Sequence, residues 1–345
     1  MGHGYRTNRF SAVAICAVSL QCSAQTITGY HIGNSLTWDS HPDRQTMLAD
    51  LQSTSLAVGY HINCNRSLDM IAADPTETCV PVEPDFGFFQ EALSGVDLDY
   101  ITFQPYWTET STLTSDLQVI EYFDFLLDFN PANDNTTMYL YQAWGPKWFM
   151  NNGFWFDPVN FGETTATTAA DEYFVVLYQV LTRDLDRPVR LIPAAQVIIE
   201  IRDRIWADEM PGVITLSRFY RDDIHLSDDL GQFAASITAA SVINNCPPFG
   251  MHRPWIEEFG TGGYTTETYL AIESAVWDVV SAEPRTGVSP CLADTNRDGL
   301  VTPQDFTAWI AAYNIDASIA DQNHDGRVTP RDFTAWIANF NNGCE

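Results

Sequence analysis

The sequence predicts an α/β protein with helices on both faces of a mainly parallel sheet, followed by a small all-α module, and three observations lead there. Five short β-prone runs, TITGYHI, LAVGYHI, LDYITFQ, TTMYLYQA and VRLIP, are separated by stretches with apolar residues every three or four positions. Such alternation favours layered α/β structure over an all-β sandwich. Hydrophobic residues make up 45% of the 345 residues, with ten Trp, fourteen Tyr and twenty Phe, which argues for folded protein rather than extended disorder. The third observation is an internal repeat near the C-terminus, too short for a second large core.

The first 24 residues read as an export signal: Arg6 and Arg9, an apolar run from Phe10 to Leu20, and small residues before a cut after Ala24. The apolar run is too short to span a bilayer comfortably, so a secreted or cell-surface, extracytoplasmic chain without a transmembrane anchor is expected. The body then runs from residue 25 to residue 284. Its candidate helices are Thr114 to Phe129, Ala169 to Leu185, Ala194 to Ala207, an amphipathic stretch from near Asp228 to Ile243, and a terminal helix in TTETYLAIESAVWDVVSAEP. Between the fourth strand and the next helix, Trp144 to Phe161 reads as a long loop. Its Trp144, Trp148, Trp155 and Phe156 form either a shelf for a sugar or acyl group or a cover for the protein's own core. EPRTGVSP supplies a linker over residues 285–290.

Charge narrows the partners. Forty-five acidic residues against 17 Lys plus Arg give a net charge of -28, which repels a phosphate backbone and argues against nucleic acid. Loss of the signal leaves Cys64, Cys79, Cys246, Cys291 and Cys344. None forms a compact C-x-x-C metal site, and in an oxidising compartment Cys64 with Cys79, and Cys291 with Cys344, are the positional pairings, with Cys246 outside both.

The repeat spans residues 291–345. DTNRDGLVTPQDFTAWIAAYN begins at Asp294 and DQNHDGRVTPRDFTAWIANFN at Asp321, a period of 27 residues. Oxygen ligands fall at loop positions one, three, five and twelve: Asp294, Asn296, Asp298 and Asp305, then Asp321, Asn323, Asp325 and Asp332. The backbone carbonyls of Leu300 and Arg327 occupy position seven. This hard, oxygen-rich set suits structural calcium, and Gly299 and Gly326 allow the sharp turn after position five. Phe306, Trp309 and Ile310 match Phe333, Trp336 and Ile337, two helical faces expected to pack together. The segment resembles a type I dockerin, and the calcium-loop tails of secreted planctomycete proteins. The resemblance implies attachment to a cohesin-like or cell-surface protein, although Pro303 and Gln304, with Pro330 and Arg331, depart from the usual dockerin pattern.

GYHIGNSLTW places Ser35 in a glycine-containing turn after the first strand, and YRDDIHLSDDL places Asp222 three residues before His225. A D-x-x-H turn lets a carboxylate orient an imidazole that faces a serine. With GNS at Gly33 to Ser35, LDYITFQPYW around Gln104, and DDIHLS, the chain from Thr26 to Pro284 resembles an SGNH, or GDSL-type, hydrolase. That resemblance implies a flavodoxin-like three-layer α/β/α fold, a Ser35–His225–Asp222 triad and hydrolysis of acyl esters, with acylated carbohydrate one substrate class. Gln104 stands where the family has an Asn, as the oxyanion donor. Asn34 replaces the usual Asp, and INCNRSL lacks the second-motif Gly, leaving Asn65 or Arg66 to supply a backbone donor. These departures also fit the opposed expectation of an inactive SGNH scaffold that binds rather than hydrolyses. Calcium is not needed for the serine mechanism.

Overall fold

The computed structural model describes residues 26–51, 55–106, 112–151, 169–296, 300–325 and 327–342. The expected signal peptide, Trp155, Phe156, Asp298 and Cys344 lie outside them. Five strands, β1 (Thr26–Gly33), β2 (Ser55–Ile62), β3 (Tyr100–Phe103), β4 (Thr137–Tyr141) and β5 (Val189–Ile192), correspond to the five β-prone runs. They form one sheet in the order β2-β1-β3-β4-β5, and every neighbouring pair is parallel. Strands buried on both faces need continuous apolar or small side chains, and β3 and most of β4 are buried throughout.

Helices cover both faces, giving three α/β/α layers. One outer layer contains α3 (Leu68–Ala73), α4 (Phe89–Gly95), α5 (Leu113–Leu127) and α7 (Ala169–Asp184). The other contains α2 (Gln45–Leu51), α8 (Ala194–Trp206), α9 (Gly231–Ile243) and α11 (Thr266–Ala282). The short helices α1 (Ser35–Trp38), α6 (Lys147–Asn151) and α10 (His252–Phe259) lie in the connections. The periodic stretches become helices within a few residues of expectation, with one correction of character. The stretch expected to be amphipathic from Asp228 becomes a helix only at Gly231, and all thirteen of its residues are buried. Helix α9 packs against α2, α8, α11 and β5, so its Ala and Ser residues admit neighbours all round.

Of the two alternatives for the aromatic stretch, Trp144 takes the second: it is fully buried in the main core, whereas Trp148 is 66% exposed. Cys64 and Cys79 form a disulfide, as their positions suggested, and Cys291 is disulfide-bonded as well. Among the described residues no helix is long and apolar enough to cross a membrane.

Beyond α11 the chain does not swing free. Thr286 is fully buried, Val288 joins the main core, and Arg190 donates to the Gly287 carbonyl at 3.0 Å. The last two helices, α12 (Pro303–Asn314) and α13 (Pro330–Asn342), meet along Phe306, Trp309 and Trp336, with Phe306 and Trp336 centroids 5.3 Å apart. Ile310 and Ile337 were expected in that seam but are 41% and 40% exposed, because a two-helix contact covers only a narrow stripe. The pair is seated on the main body. Cys246, just after α9, is fully buried among Trp309, Ile319 and Trp336, the Phe249 ring stacks on His324 at 3.7 Å, and Arg253 pairs with Asp316 at 2.8 Å.

Candidate active site

In a parallel α/β sheet, ligands bind outside the carboxyl ends of the strands, where the strand order reverses. Here the chain goes from β1 outward to β2 and then crosses back to β3, so the reversal lies between β1 and β3. Ile32 is in register with Phe103, and so Ser35 and Gln104 leave the sheet side by side.

The turn into α1 is built from its own sequence. A Cβ at Gly33 would stand 2.1 Å from Thr37 Oγ1 and 3.0 Å from Gln104 Cβ, so only glycine lets the chain fold back this tightly. Asn34 caps α1: its Oδ1 accepts the Leu36 amide at 2.9 Å, and its Nδ2 donates to the Arg66 carbonyl at 3.0 Å. The turn therefore needs hydrogen bonding at position 34 and no charge. Beneath it, Gln104 is 1% exposed, and its Oε1 accepts from Thr37 Oγ1 (2.7 Å), Thr37 N (3.0 Å) and Asn34 N (3.4 Å). Two of these donors are backbone amides, which fixes the orientation of the side-chain amide. Gln104 thus carries the turn on its oxygen, and only Nε2, 3.5 Å from the Pro105 carbonyl, is left to donate.

Residues 220–226 carry the other half of the site. Tyr220 and Leu226 bridge antiparallel, and Asp222 Oδ1 accepts the amides of Ile224 (2.8 Å) and His225 (2.7 Å), an Asx turn that fixes the carboxylate before it meets the ring. Asp222 Oδ2 then lies 2.8 Å from His225 Nδ1, and His225 Nε2 lies 2.9 Å from Ser35 Oγ. An ionised carboxylate can only accept, so Nδ1 carries the proton and donates to Asp222. Nε2 is consequently the acceptor of the Ser35 hydroxyl. Residues 190 positions apart meet in the order the motifs suggested. Partial desolvation pushes the Asp222 carboxyl up, but the two amides and the His225 ring outweigh it and hold the group at about 2.

Sequence reasoning missed what holds this loop. Trp144 Nε1 donates to the Ile224 carbonyl at 2.7 Å, and the Lys147 backbone amide and ammonium donate to the carbonyls of Asp223 (2.7 Å) and Asp222 (3.0 Å). A Trp placed three residues after a strand end was the available signal. Asn65 adopts a left-handed φ of 58°, which asparagine tolerates, while the Arg66 guanidinium pairs with Glu77 at 3.3 Å.

In the terminal repeats, Asp305 and Asp332 are fully buried at the twelfth loop positions. Asp305 accepts from the Asn296 and Thr302 amides, and Asp332 from those of Gln322, Asn323 and Thr329. Asp294 and Asp321 are 4% and 3% exposed. Carboxylates and Asn oxygens are the donor types a hard cation such as calcium takes, but here the Asp305 and Asp332 oxygens are held by backbone amides. Among the described residues no three His, Cys, Asp or Glu side chains are grouped to hold a metal ion; Asp298, expected at the fifth position of the first loop, lies outside them.

No family model and no curated protein matches the chain. It is similar to the crystal structure of a DUF4886 family protein from Bacteroides uniformis ATCC 8492, at 16% identity and a TM-score of 0.49, over 76% of this chain and 96% of that one.

Proposed function

We propose that this protein is an extracytoplasmic serine esterase, and the single observation that carries the reading is the continuous Ser35–His225–Asp222 hydrogen-bond chain. His225 Nε2 takes the Ser35 proton as Oγ attacks the ester carbonyl. The tetrahedral oxyanion is met by the Ser35 backbone amide, which lies at a first helical position where the helix itself offers no acceptor, and by Gln104 Nε2. His225 returns the proton to the departing alcohol and leaves an acyl group on Ser35. It then draws a proton from a water whose oxygen bonds the acyl carbon, and gives that proton to Ser35 Oγ as the carbon–Oγ bond breaks and the carboxylic acid leaves. Asp222 stays ionised throughout and supports the imidazolium. Exposed Trp148 follows Lys147, which grips the loop of Asp222, and an indole face there favours an acylated sugar as substrate.

The Cys64–Cys79 disulfide supports an oxidising compartment. In the same reading the terminal pair is a dockerin-like calcium module: Asp294, Asn296, Leu300 and Asp305, then Asp321, Asn323, Asp325, Arg327 and Asp332, would hold two ions, the seventh-position residues through their carbonyls. Calcium would supply structural charge compensation there and take no part in the ester chemistry. The proposed partner of the module is a cohesin-like or cell-surface protein. Hydrolysis of a panel of short acyl esters by the wild type and Ser35→Ala tests the enzyme reading. Loss of at least about a thousandfold in kcat with the fold retained is expected; equal rates from both proteins would remove it and favour the binding scaffold.

A further inference from the structure

Asp39 lies outside the three residues of the relay, yet it touches both halves of the site. It ends α1, and its backbone amide donates to the Ser35 carbonyl at 3.0 Å. Its side chain is fully buried. Oδ2 accepts the amide of Leu226, the residue after His225, at 2.8 Å, and Oδ1 accepts from Arg221 at 3.0 Å and Gln232 at 3.1 Å. Leu226 and Arg221 flank the Asp222–His225 turn on either side, and Gln232 belongs to the first turn of α9, immediately beyond it. A single carboxylate, four residues along the chain from the serine, therefore gathers three donors from the segment that carries the histidine.

A buried carboxylate is costly unless it is paired and hydrogen-bonded, so its presence here calls for a reason. Burial outweighs the rest and raises the Asp39 carboxyl above the ordinary carboxylate range, although Arg221, the Leu226 amide, His225 and Gln232 each favour its charged form. Arg221 adds rigidity, since it also donates to the Leu226 carbonyl and to Asp228, each at 3.1 Å. No other hydrogen-bonded carboxylate described here joins α1 to the histidine loop.

We propose that Asp39 is a positioning residue of this site, clamping the Ser35 helix to the His225 loop so that Oγ and Nε2 stay within hydrogen-bonding distance. The proposal rests on the reading of Ser35 as nucleophile. Asparagine at position 39 keeps the shape but offers one acceptor and one donor where three donors converge. The Leu226 or the Arg221 end of the clamp must then open, and a displacement of about 1 Å at a reacting pair costs on the order of a hundredfold in rate.

The test is the second-order rate at which an alkyl fluorophosphonate labels Ser35, because labelling needs the serine and its base but no knowledge of the natural substrate. Wild type, Asp39→Asn and Arg221→Met are compared, with folding checked by circular dichroism. Arg221 is 39% exposed in its side chain, so its replacement spares the core and keeps the test valid if Asp39→Asn fails to fold. The expected result is a fall of about a hundredfold for Asp39→Asn and about tenfold for Arg221→Met. The downfield resonance of the His225 Nδ1 proton, which is donated to Asp222, should broaden or vanish in both. Labelling at the wild-type rate by folded Arg221→Met or folded Asp39→Asn overturns the clamp. Absence of labelling in the wild type itself overturns the nucleophile reading instead, so the two failures are distinguishable.

Discussion

At the scale of single residues, the electrostatics of the relay make a prediction about pH. Asp222 is held at about 2, below the ordinary carboxylate value of about 3.9. A depressed pKa means that the favourable interaction is fully present above the unfolded value and is lost only as pH falls through the folded one. Over the range in which an esterase is assayed, Asp222 is therefore always ionised. Protonation of Asp222 should therefore add no step to the acid limb of log kcat/KM down to about pH 3, provided the protein stays folded. Measuring that limb with a short ester checks it, and a slope of two would mean that Asp222 gains a proton in the same range. The pair adds little to stability, because the Asp222 side chain is half exposed and solvent screens it.

At the scale of elements, the site is two short pieces held by a buried amide and a tryptophan. Thr37 is fully buried, and Gln104 Oε1 is the acceptor for both its amide and its hydroxyl. Gln104→Leu would strand those donors and lower the unfolding free energy by about 1–3 kcal/mol in a urea titration. An unchanged midpoint would show that the turn does not depend on this strut. The five strands and the main helices were legible in the sequence because each needs a local pattern, apolar runs for a parallel sheet and a 3.6-residue period for its covering helices. Ser35, Asp222 and His225 were legible because their spacing within each motif is local. The use of Gln104, Trp144 and Lys147 as braces was not, since each depends on which loop lies above a strand end. The full burial of α9 and the exposure of Ile310 and Ile337 were misread for the same reason, since a helix's periodicity does not say how many neighbours it has.

For the whole molecule, the terminal helix pair is a seated part of the protein, with a loop of its second repeat against the main body. His324 lies between the third and fifth ligand positions of that loop and stacks on Phe249, while Cys246 is buried in the helix pair's own core. Calcium held by Asp321, Asn323 and Asp325 would then stabilise the seat as well as the loop, by binding the folded form alone. Chelation should lower the Tm and expose the Cys246 thiol to a thiol reagent, and added calcium should restore both, with Cys246→Ser as the blank. Identical Tm and thiol protection with and without calcium would contradict this. The contacts that seat the pair join residues dozens of positions apart, and a local period does not record such pairings.

The most direct test of the central claim is to quench the wild-type protein in acid within milliseconds of mixing with an activated short ester and to map the acylated peptide. One acyl group on Ser35, appearing before steady turnover and absent from His225→Ala, is the expected result. Hydrolysis at the full rate with no acyl group on Ser35, or with the group on another residue, would contradict the account.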